Sequence, residues 1–315
     1  MVLGHAMLRS IYRTSLRLLP VALADSIHKA VVSLVVGTPR LRRKIHQRLK
    51  ENFEVWRNIL PRARYMIRYF SWRIKPAFRL LFTSREITNF TYDLNERGKI
   101  HMAHAVSIAS GCSPANARKW IDELAGDEEL RAFVVNSVRN SSGRLVSDAR
   151  AGYGRRLGWY ALVRATKPNL VVETGVDKGL GSLVLCAALR RNAYEGTTGR
   201  YLGTDINPAA GELLGGPFAE FGSIAYGDSL ASLEKLTQPV DIFINDSDHS
   251  ADYERKEYEL MASRLSPKAI IVADNAHVTD ELANFSSLTG RRFIAVREIP
   301  RDHWYLGATT GISFN

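Results

Sequence analysis

Cysteine is nearly absent from this chain: 315 residues contain only Cys112 and Cys186. They lie far apart and neither belongs to a CxxC pair, which excludes a disulfide framework and a cysteine-built zinc site and points to reduced thiols in an intracellular protein. Long apolar runs are missing too. The N-terminal stretch MVLGHAMLRSIYRTSLRLLPVALADSIHKAVVSLVVG is interrupted by Arg9, Arg13, Arg17, Asp25 and Lys29, well short of the roughly 20 apolar residues of a membrane span, and it has no signal-peptide cleavage pattern. No internal repeat or low-complexity tract is present, which excludes repeat architectures. Acidic residues are scarce at one end only. Residues 1–90 hold 4 Asp+Glu against 18 Lys+Arg, a balance of +14, while residues 91–315 balance at −3. The expected location is the cytoplasm, with the basic segment offering a peripheral contact at the inner face of a membrane.

What is present suits a globular protein with a real core, at 45% hydrophobic and 24% charged residues. Over residues 7–35 apolar positions recur at helical spacing with Arg9, Arg13 and Arg17 in an i,i+4 stripe, predicting an amphipathic helix kinked at Pro20. A second helical stretch, residues 41–82, is predicted to break near Pro61 and Pro76, and its aromatic residues alternate with arginines. Three roles fit a basic helical extension over residues 1–85. It could be a solvated cap or oligomerisation arm, an attachment to an anionic membrane surface, or, lacking any recognised motif, least readily a nucleic-acid binder. Residues 86–150 are expected to form a helical lid or linker region, with Ser113 as an N-cap, Pro114 at the first helical position, and Gly111 and Gly126 as stops. The polar RNSSGR at 139–144 marks a boundary. His101 and His104 share a helix face without a third ligand.

From about residue 151 short apolar runs alternate with helical periods, the pattern of an α/β domain. Strands are predicted at 169–175, 200–206, 222–228, 240–246, 268–274, 291–299 and 309–314. The last two form an antiparallel pair, so the fold expected is a doubly wound, seven-stranded Rossmann-like sheet. In such sheets ligands bind beyond the carboxyl ends of the strands. After the first strand stands ETGVDKGLGS, with Glu173, Gly175, Gly179 and Gly181 leading into a helix. Glycines there allow a tight turn and a close approach of ligand to backbone, although such a turn can also be purely structural. The spacing is neither GxGxxG nor a P-loop. Asp205, at the end of the second strand, is placed to accept both hydroxyls of a ribose. Asp228, after the third, could receive an adenine amino group or simply cap a helix. The fourth strand ends in DIFINDSDHS, where Asp246, Asp248 and His249 must be hydrogen-bonded, paired or metal-bound.

Taken in order, VVETGVDKGLGS, YLGTDINP, YGDSL and VDIFINDSDHS resemble motifs I to IV of the class I S-adenosylmethionine-dependent methyltransferases over about residues 155–315, within a domain expected at 151–315. That resemblance implies S-adenosylmethionine as cofactor, bound by Glu173, Gly175, Gly179, Gly181, Asp205, Asp228 and Asp246. DSDH after strand four and ADNAH after strand five further resemble the metal triad of cation-dependent O-methyltransferases. This implies Mg²⁺ or another divalent cation on Asp246, Asp274 and Asn275; the alternative is that Asp246 meets only the cofactor and Asp274-Asn275 caps the next helix. His249 holds a place that is histidine in macrolide-sugar O-methyltransferases, which implies a catalytic base and a sugar or other polyhydroxylated acceptor. Such an acceptor could be a lipid-linked saccharide if the extension meets a membrane. The loop at 300–311, with Arg301, His303 and Trp304, either lines the substrate mouth or packs as an aromatic hairpin. Rival expectations are an NAD(P)-dependent oxidoreductase and a noncatalytic scaffold on the same fold.

Overall fold

The structure, a computed structural model, describes residues 39–315, so the helix expected over residues 7–35 lies outside the described residues. The chain divides into two compact units, Met1–Trp72 and Arg73–Asn315. Helix α1 runs over Pro39–Arg57 and α2 over Ile59–Thr83. The break expected near Pro61 falls at Asn58, because a proline in the first turn of α2 gives up an N–H that has no intrahelical acceptor. The break expected at Pro76 does not occur. Its missing donor removes one bond from a 25-residue helix that continues on both sides of it.

In the second unit, α3 (Glu96–Ser110) starts at Asn95, whose side chain accepts from Gly98 N, and stops at Gly111 with φ +75°. Helix α4 (Pro114–Ala125) is capped by Ser113 with Pro114 in the first turn, and α5 is Glu128–Asn140. Helix α6 (Arg156–Thr166) packs against α4 and leads into the sheet.

The seven expected strands are all present: β1 Leu170–Thr174, β2 Arg200–Asp205, β3 Gly222–Tyr226, β4 Val240–Asn245, β5 Leu265–Ala273, β6 Arg292–Arg297 and β7 Thr309–Phe314. Their order is β3-β2-β1-β4-β5-β7-β6; the first five are parallel and β7 alone runs against its neighbours. Helices α7 (Leu180–Tyr194), α8 (Ser229–Glu234), α9 (Ala251–Ala262) and α10 (Glu281–Leu288) follow strands β1, β3, β4 and β5. Between β2 and β3 a helical pattern gives only a 3₁₀ turn at Gly216–Phe221. Pro208, Gly211, Gly215, Gly216 and Pro217 withhold the backbone donors and rigidity that an α-helix needs there.

Buried strands alternate sides with period two. Val171, Ile242, Ile244, Ile270 and Val272 enter the core shared with α3–α7, whereas Val172, Phe243 and Ile271 enter the opposite core with Tyr258 of α9 and Phe285 of α10. Burying a side chain such as Phe243 stabilises by roughly 2–3 kcal/mol, so helices are held on both faces and the strand ends stay level. Register completes the arrangement. Thr174 pairs with Thr204 and Asn245, and Asn245 with Ala273, so the residue after β4 and the residue after β5 stand side by side.

Candidate active site

A cavity of about 800 Å³ lies across the carboxyl ends of β1 to β5. Its floor begins at Gly175. The amide of Gly175 donates to Thr204 O, φ is +82°, and a Cβ there would stand 1.9 Å from Asp246 O, so only glycine lets the β1 and β4 ends close together. Gly181 also lines the cavity. Gly179 does not; it precedes α7 with φ +88° and its Cβ would meet Gly211, which makes it a turn residue.

Each strand-end acid has a local anchor. Glu173 is buried and its Oε2 accepts from the hydroxyls of Ser182 and Tyr201; burial pushes its carboxyl up to about 7, against those donors and Arg156. Asp205 Oδ2 accepts from the amides of Val176 and Asp177, at 3.0 and 2.9 Å, which ties the glycine turn to β2. Asp228 caps α8 through Ala231 N at 3.1 Å and accepts from Tyr253 Oη at 3.3 Å, so the capping alternative is realised on a residue that also lines the cavity.

At the other end, Asp246, Asp274, Asn275 and His249 come together. Asn275 Nδ2 donates to Asp274 Oδ2 at 3.2 Å and to His249 Nε2 at 2.9 Å, and His249 Nε2 stands 3.7 Å from Asp246 Oδ1. Helix capping is not the use of Asp274 and Asn275, since α10 begins only at Glu281. His249 does not line the cavity itself. Its Nδ1 faces Glu254 Oε1 at 3.3 Å, and Glu254 in turn takes the hydroxyl of Thr279. With Nδ1–H donating to Glu254, the Nε2 lone pair points at Asn275 and Asp246. The Glu254 hydrogen bond, opposed by burial, raises the imidazole above its ordinary range.

The group also contains a cation that was not singled out from the sequence. Arg155, the residue before α6, places Nε against Asp274 and Nη2 3.4 Å from Asp246 Oδ2. Nη1 reaches Tyr92 Oη at 3.3 Å, Tyr92 donates to buried Glu298, and the guanidinium carbon sits 5.7 Å from the Trp159 ring centre. Burial opposes the charge on Arg155, but Asp274, Tyr92 and Asp246 outweigh it and hold the guanidinium protonated. Burial and then Asp274 push Asp246 well above the usual carboxylate range. One oxygen or nitrogen each from Asp246, His249 and Asp274 lies within 4.8 Å of the others, as a cation site requires. A resident divalent ion nevertheless fits poorly, because Asp274 and Asp246 already share a positive group.

Other contributors were also unsignalled. Buried Glu257 of α9 accepts from Thr174, Ser229, Asn245 and Ser247, pinning the ends of β1 and β4 from below. Thr88, Asn89 and Phe90 line the cavity, and Lys178 lies 4.4 Å from the Phe90 ring centre. A signal existed for Arg155 in the adjacent pair Arg155-Arg156 ahead of an apolar helix, since arginines at its buried start need partners. The 300–311 loop takes the packed alternative: Arg301 pairs with Asp93, His303 stacks near Tyr92 and Trp304, and none of them lines the cavity. His101 and His104 are exposed.

Residues 172–276 match a family model described as a methyltransferase domain. No curated protein matches the chain. Among solved structures, the O-methyltransferase TomG from Streptomyces achromogenes, involved in tomaymycin synthesis and in complex with SAM, is 19% identical. It covers 60% of this chain and 89% of its own, with a TM-score of 0.45. An O-methyltransferase from Bacillus cereus in complex with SAH is 13% identical over 63% of this chain and 100% of its own, at 0.46. A methyltransferase from Geobacter sulfurreducens is 18% identical over 58% and 88%, at 0.43. The matched segment runs from β1 through Asn275 and holds every site residue singled out from the sequence, on a sheet ordered β3-β2-β1-β4-β5-β7-β6. Residues 172–276 of this chain are therefore similar to a methyltransferase domain, and the seven-stranded sheet that contains them has the Rossmann-like fold expected from the motifs.

Proposed function

We propose that this chain is an S-adenosylmethionine-dependent O-methyltransferase acting on a hydroxyl of a sugar or other polyhydroxylated acceptor. The observation that carries it is the division of one cavity: Glu173, Asp205 and Asp228 along β1–β3 suit an amino-acid-bearing nucleoside, and Asp246, Asp274 and Asn275 at β4–β5, with His249 behind them on Asn275, suit a hydroxyl. Gly175 and Gly181 line the cavity with bare backbone, which fits a ligand lying against it. When bound, S-adenosylmethionine supplies a sulfonium methyl, which the acceptor oxygen takes as the sulfur keeps the S–C electron pair. The chain's residues do the rest. Asp205 and Asp228 offer oxygen lone pairs to ribose hydroxyls and an adenine amino group. His249 takes the hydroxyl proton on Nε2, held in that tautomer by Glu254. Asp246, Asp274 and Asn275 orient the acceptor, and Arg155 fixes the two carboxylates.

Asp246, His249, Asp274 and Asn275 are the residues that would hold a divalent cation, whose chemistry would be to lower the proton affinity of the acceptor hydroxyl. Because Arg155 already compensates two of them, no step here depends on it. Titration of S-adenosylhomocysteine by calorimetry tests the reading. Micromolar binding that weakens at least ~10-fold in Asp205→Ala supports it; binding of a nicotinamide dinucleotide instead would remove it.

We also infer that α2 lies against an anionic membrane surface. It contains no acidic residue, and Tyr65, Met66, Ile67, Phe78, Leu81 and Phe82 are exposed among Arg62, Arg64, Arg68, Lys75 and Arg79. Aromatic and aliphatic side chains entering the headgroup layer, with arginines on anionic lipid, account for both features. No described helix is long and apolar enough to cross a membrane. Flotation of the full chain with phosphatidylglycerol vesicles, lost when Arg62, Arg64 and Arg68 become Glu, is the expected result, and undiminished flotation would overturn it.

A further inference from the structure

Away from the large cavity, three arginines face one another without an anion. A smaller cavity, of about 260 Å³, is lined by Arg85 just past α2, by Arg139 in the last turn of α5, and by Arg144 in the polar turn that follows α5. No acidic residue lines it, and among the described residues none of the three guanidiniums has an ion pair or a hydrogen bond. The acids nearby are committed elsewhere. Asp148 accepts from the Ser84 hydroxyl at 2.6 Å and the Arg85 amide at 2.9 Å and pairs with Arg150; Glu86 turns to the Thr91 amide, and Glu212 to the amide and hydroxyl of Ser142. Arg139 also suits the carboxyl end of its helix, but Arg85 and Arg144 have no such local use.

Backbone bonds hold the cluster together. The Arg85 amide on Asp148 and the Ile87 amide on Val146 O tie the chain after α2 to residues 146–148, and Val146 N closes the turn onto Gly143 O at 2.9 Å. Like charges gathered in this way repel, and an entering anion relieves them. The number of guanidinium forks indicates which anion. One fork satisfies the two oxygens and single charge of a carboxylate, whereas a phosphate monoester carries up to about two charges on three acceptor oxygens and takes several.

The rim indicates what the phosphate is attached to. Leu145 lines the cavity and is 74% exposed, and Ile87 beside it on the Val146 bond is 72% exposed. Leu81 and Phe82, in the last turn of α2, are exposed as well. Large apolar side chains around a cationic pocket suit an amphiphile better than a fully polar ligand. We propose that Arg85, Arg139 and Arg144 bind the phosphate group of an amphiphile whose apolar chain lies over Leu145 and Ile87. The site is separate from the large cavity but adjoins it: Ser147 lines the smaller one and accepts from Lys178 Nζ at 2.9 Å, and Lys178 lines the larger. It needs neither the cofactor reading nor the membrane reading of α2.

Calorimetry of the full chain with two soluble probes tests the site: glycerol 3-phosphate, a phosphate without an apolar chain, and dodecyl phosphate below its micelle concentration, a phosphate with one. The wild type is expected to bind both, and dodecyl phosphate at least ~10-fold more tightly. Arg139→Gln with Arg144→Gln should weaken both at least ~10-fold with an unchanged urea midpoint, and Arg85→Gln is the second probe if that variant does not fold. Leu145→Ser should shrink the preference for dodecyl phosphate and leave glycerol 3-phosphate alone. Changing Arg62, Arg64 and Arg68 to Glu should leave glycerol 3-phosphate binding intact, which separates this site from the membrane reading. Equal affinity for the two probes, lost in the arginine variant, would overturn the amphiphile and assign the pocket to a free phosphate ester. Binding of neither probe, or binding that the arginine variants do not weaken, would overturn the site.

Discussion

The two halves of the cavity are built differently. Along β1–β3, Asp205 and Asp228 are anchored by backbone amides and hydroxyls from residues close by in the fold's own turns. Along β4–β5, Asp246 and Asp274 are anchored by a guanidinium from Arg155, at the far end of a separate helix. Neutral donors leave a carboxylate charged and free to bind through its remaining lone pairs. A buried ion pair instead makes the group rigid and sensitive to loss of either member. The first half is therefore suited to holding a ligand, the second to holding a geometry in which a proton moves.

The largest expected effect probes that division at His249. His249→Ala should lower kcat by roughly 10²- to 10⁴-fold, the range for loss of a positioned base, with S-adenosylhomocysteine affinity unchanged because the β1–β3 half is untouched. A fall in affinity matching the fall in kcat would show that the halves are not separable.

Next comes stability. Asp274→Ala takes from buried Arg155 the carboxylate at its Nε, leaving only the more distant Asp246, and should cost about 3–5 kcal/mol in urea denaturation. Replacing both members, Arg155→Met with Asp274→Leu, should recover much of that. Asp228→Ala, which removes only a cap and a surface-facing contact, should cost about 1 kcal/mol. If the Asp274 variant costs no more than the Asp228 one, the contrast in construction fails.

What could be read in the sequence follows the same line. All seven strands, the Gly111 stop of α3, the capping of α4, and the acids at the ends of β1 to β5 were legible, because a strand's period, a Ser-Pro start and an acid after an apolar run are local patterns. Gly175 was expected to admit a ligand to bare backbone, and the need for glycine that the structure shows there is another, the approach of Asp246 O just after β4. Arg155 was not. Its meaning comes from residues 91 and 119 positions away in the chain that only the packing of α6 against the sheet brings near. Glu257 was hidden similarly: on α9 it reads as one more helix glutamate, yet it is fully buried beneath the strand ends. Asp228 sits between, since its capping and cavity-facing roles draw on one residue type and only geometry shows both.

A smaller effect comes with pH. Burial pushes Glu298, which accepts from Tyr92 beside Arg155, up to about 7 from an ordinary 4.5, against Arg155. The folded pKa lies above the unfolded one, so the folded state holds the proton across that window. Stability from this group is complete below about 4.5 and is lost as pH rises toward and through 7. The shift corresponds to at most on the order of 3 kcal/mol. Glu298→Gln should flatten the decline in denaturation midpoint between pH 5 and pH 8 relative to the wild type. A variant with the same slope as the wild type would place the proton elsewhere.

The smallest effect asks whether a metal and Arg155 exclude one another. Asp246, His249 and Asp274 bring donor atoms within 4.8 Å, a set able to hold Mn²⁺ once the competing positive charge is gone. The guanidinium repels a divalent ion and occupies the oxygens that would hold it; removing the guanidinium takes away both. Arg155→Met should then bind Mn²⁺ at least ~10-fold more tightly than the wild type by electron paramagnetic resonance titration, a change of about 1.4 kcal/mol. Tight Mn²⁺ binding by the wild type, unaltered in the variant, would mean that the ion sits beside the guanidinium with the free oxygens of both acids, and the β4–β5 half would then be a metal centre with Arg155 as its counterweight. Binding that appears only in the variant would mean that this chain carries its cation in its own sequence.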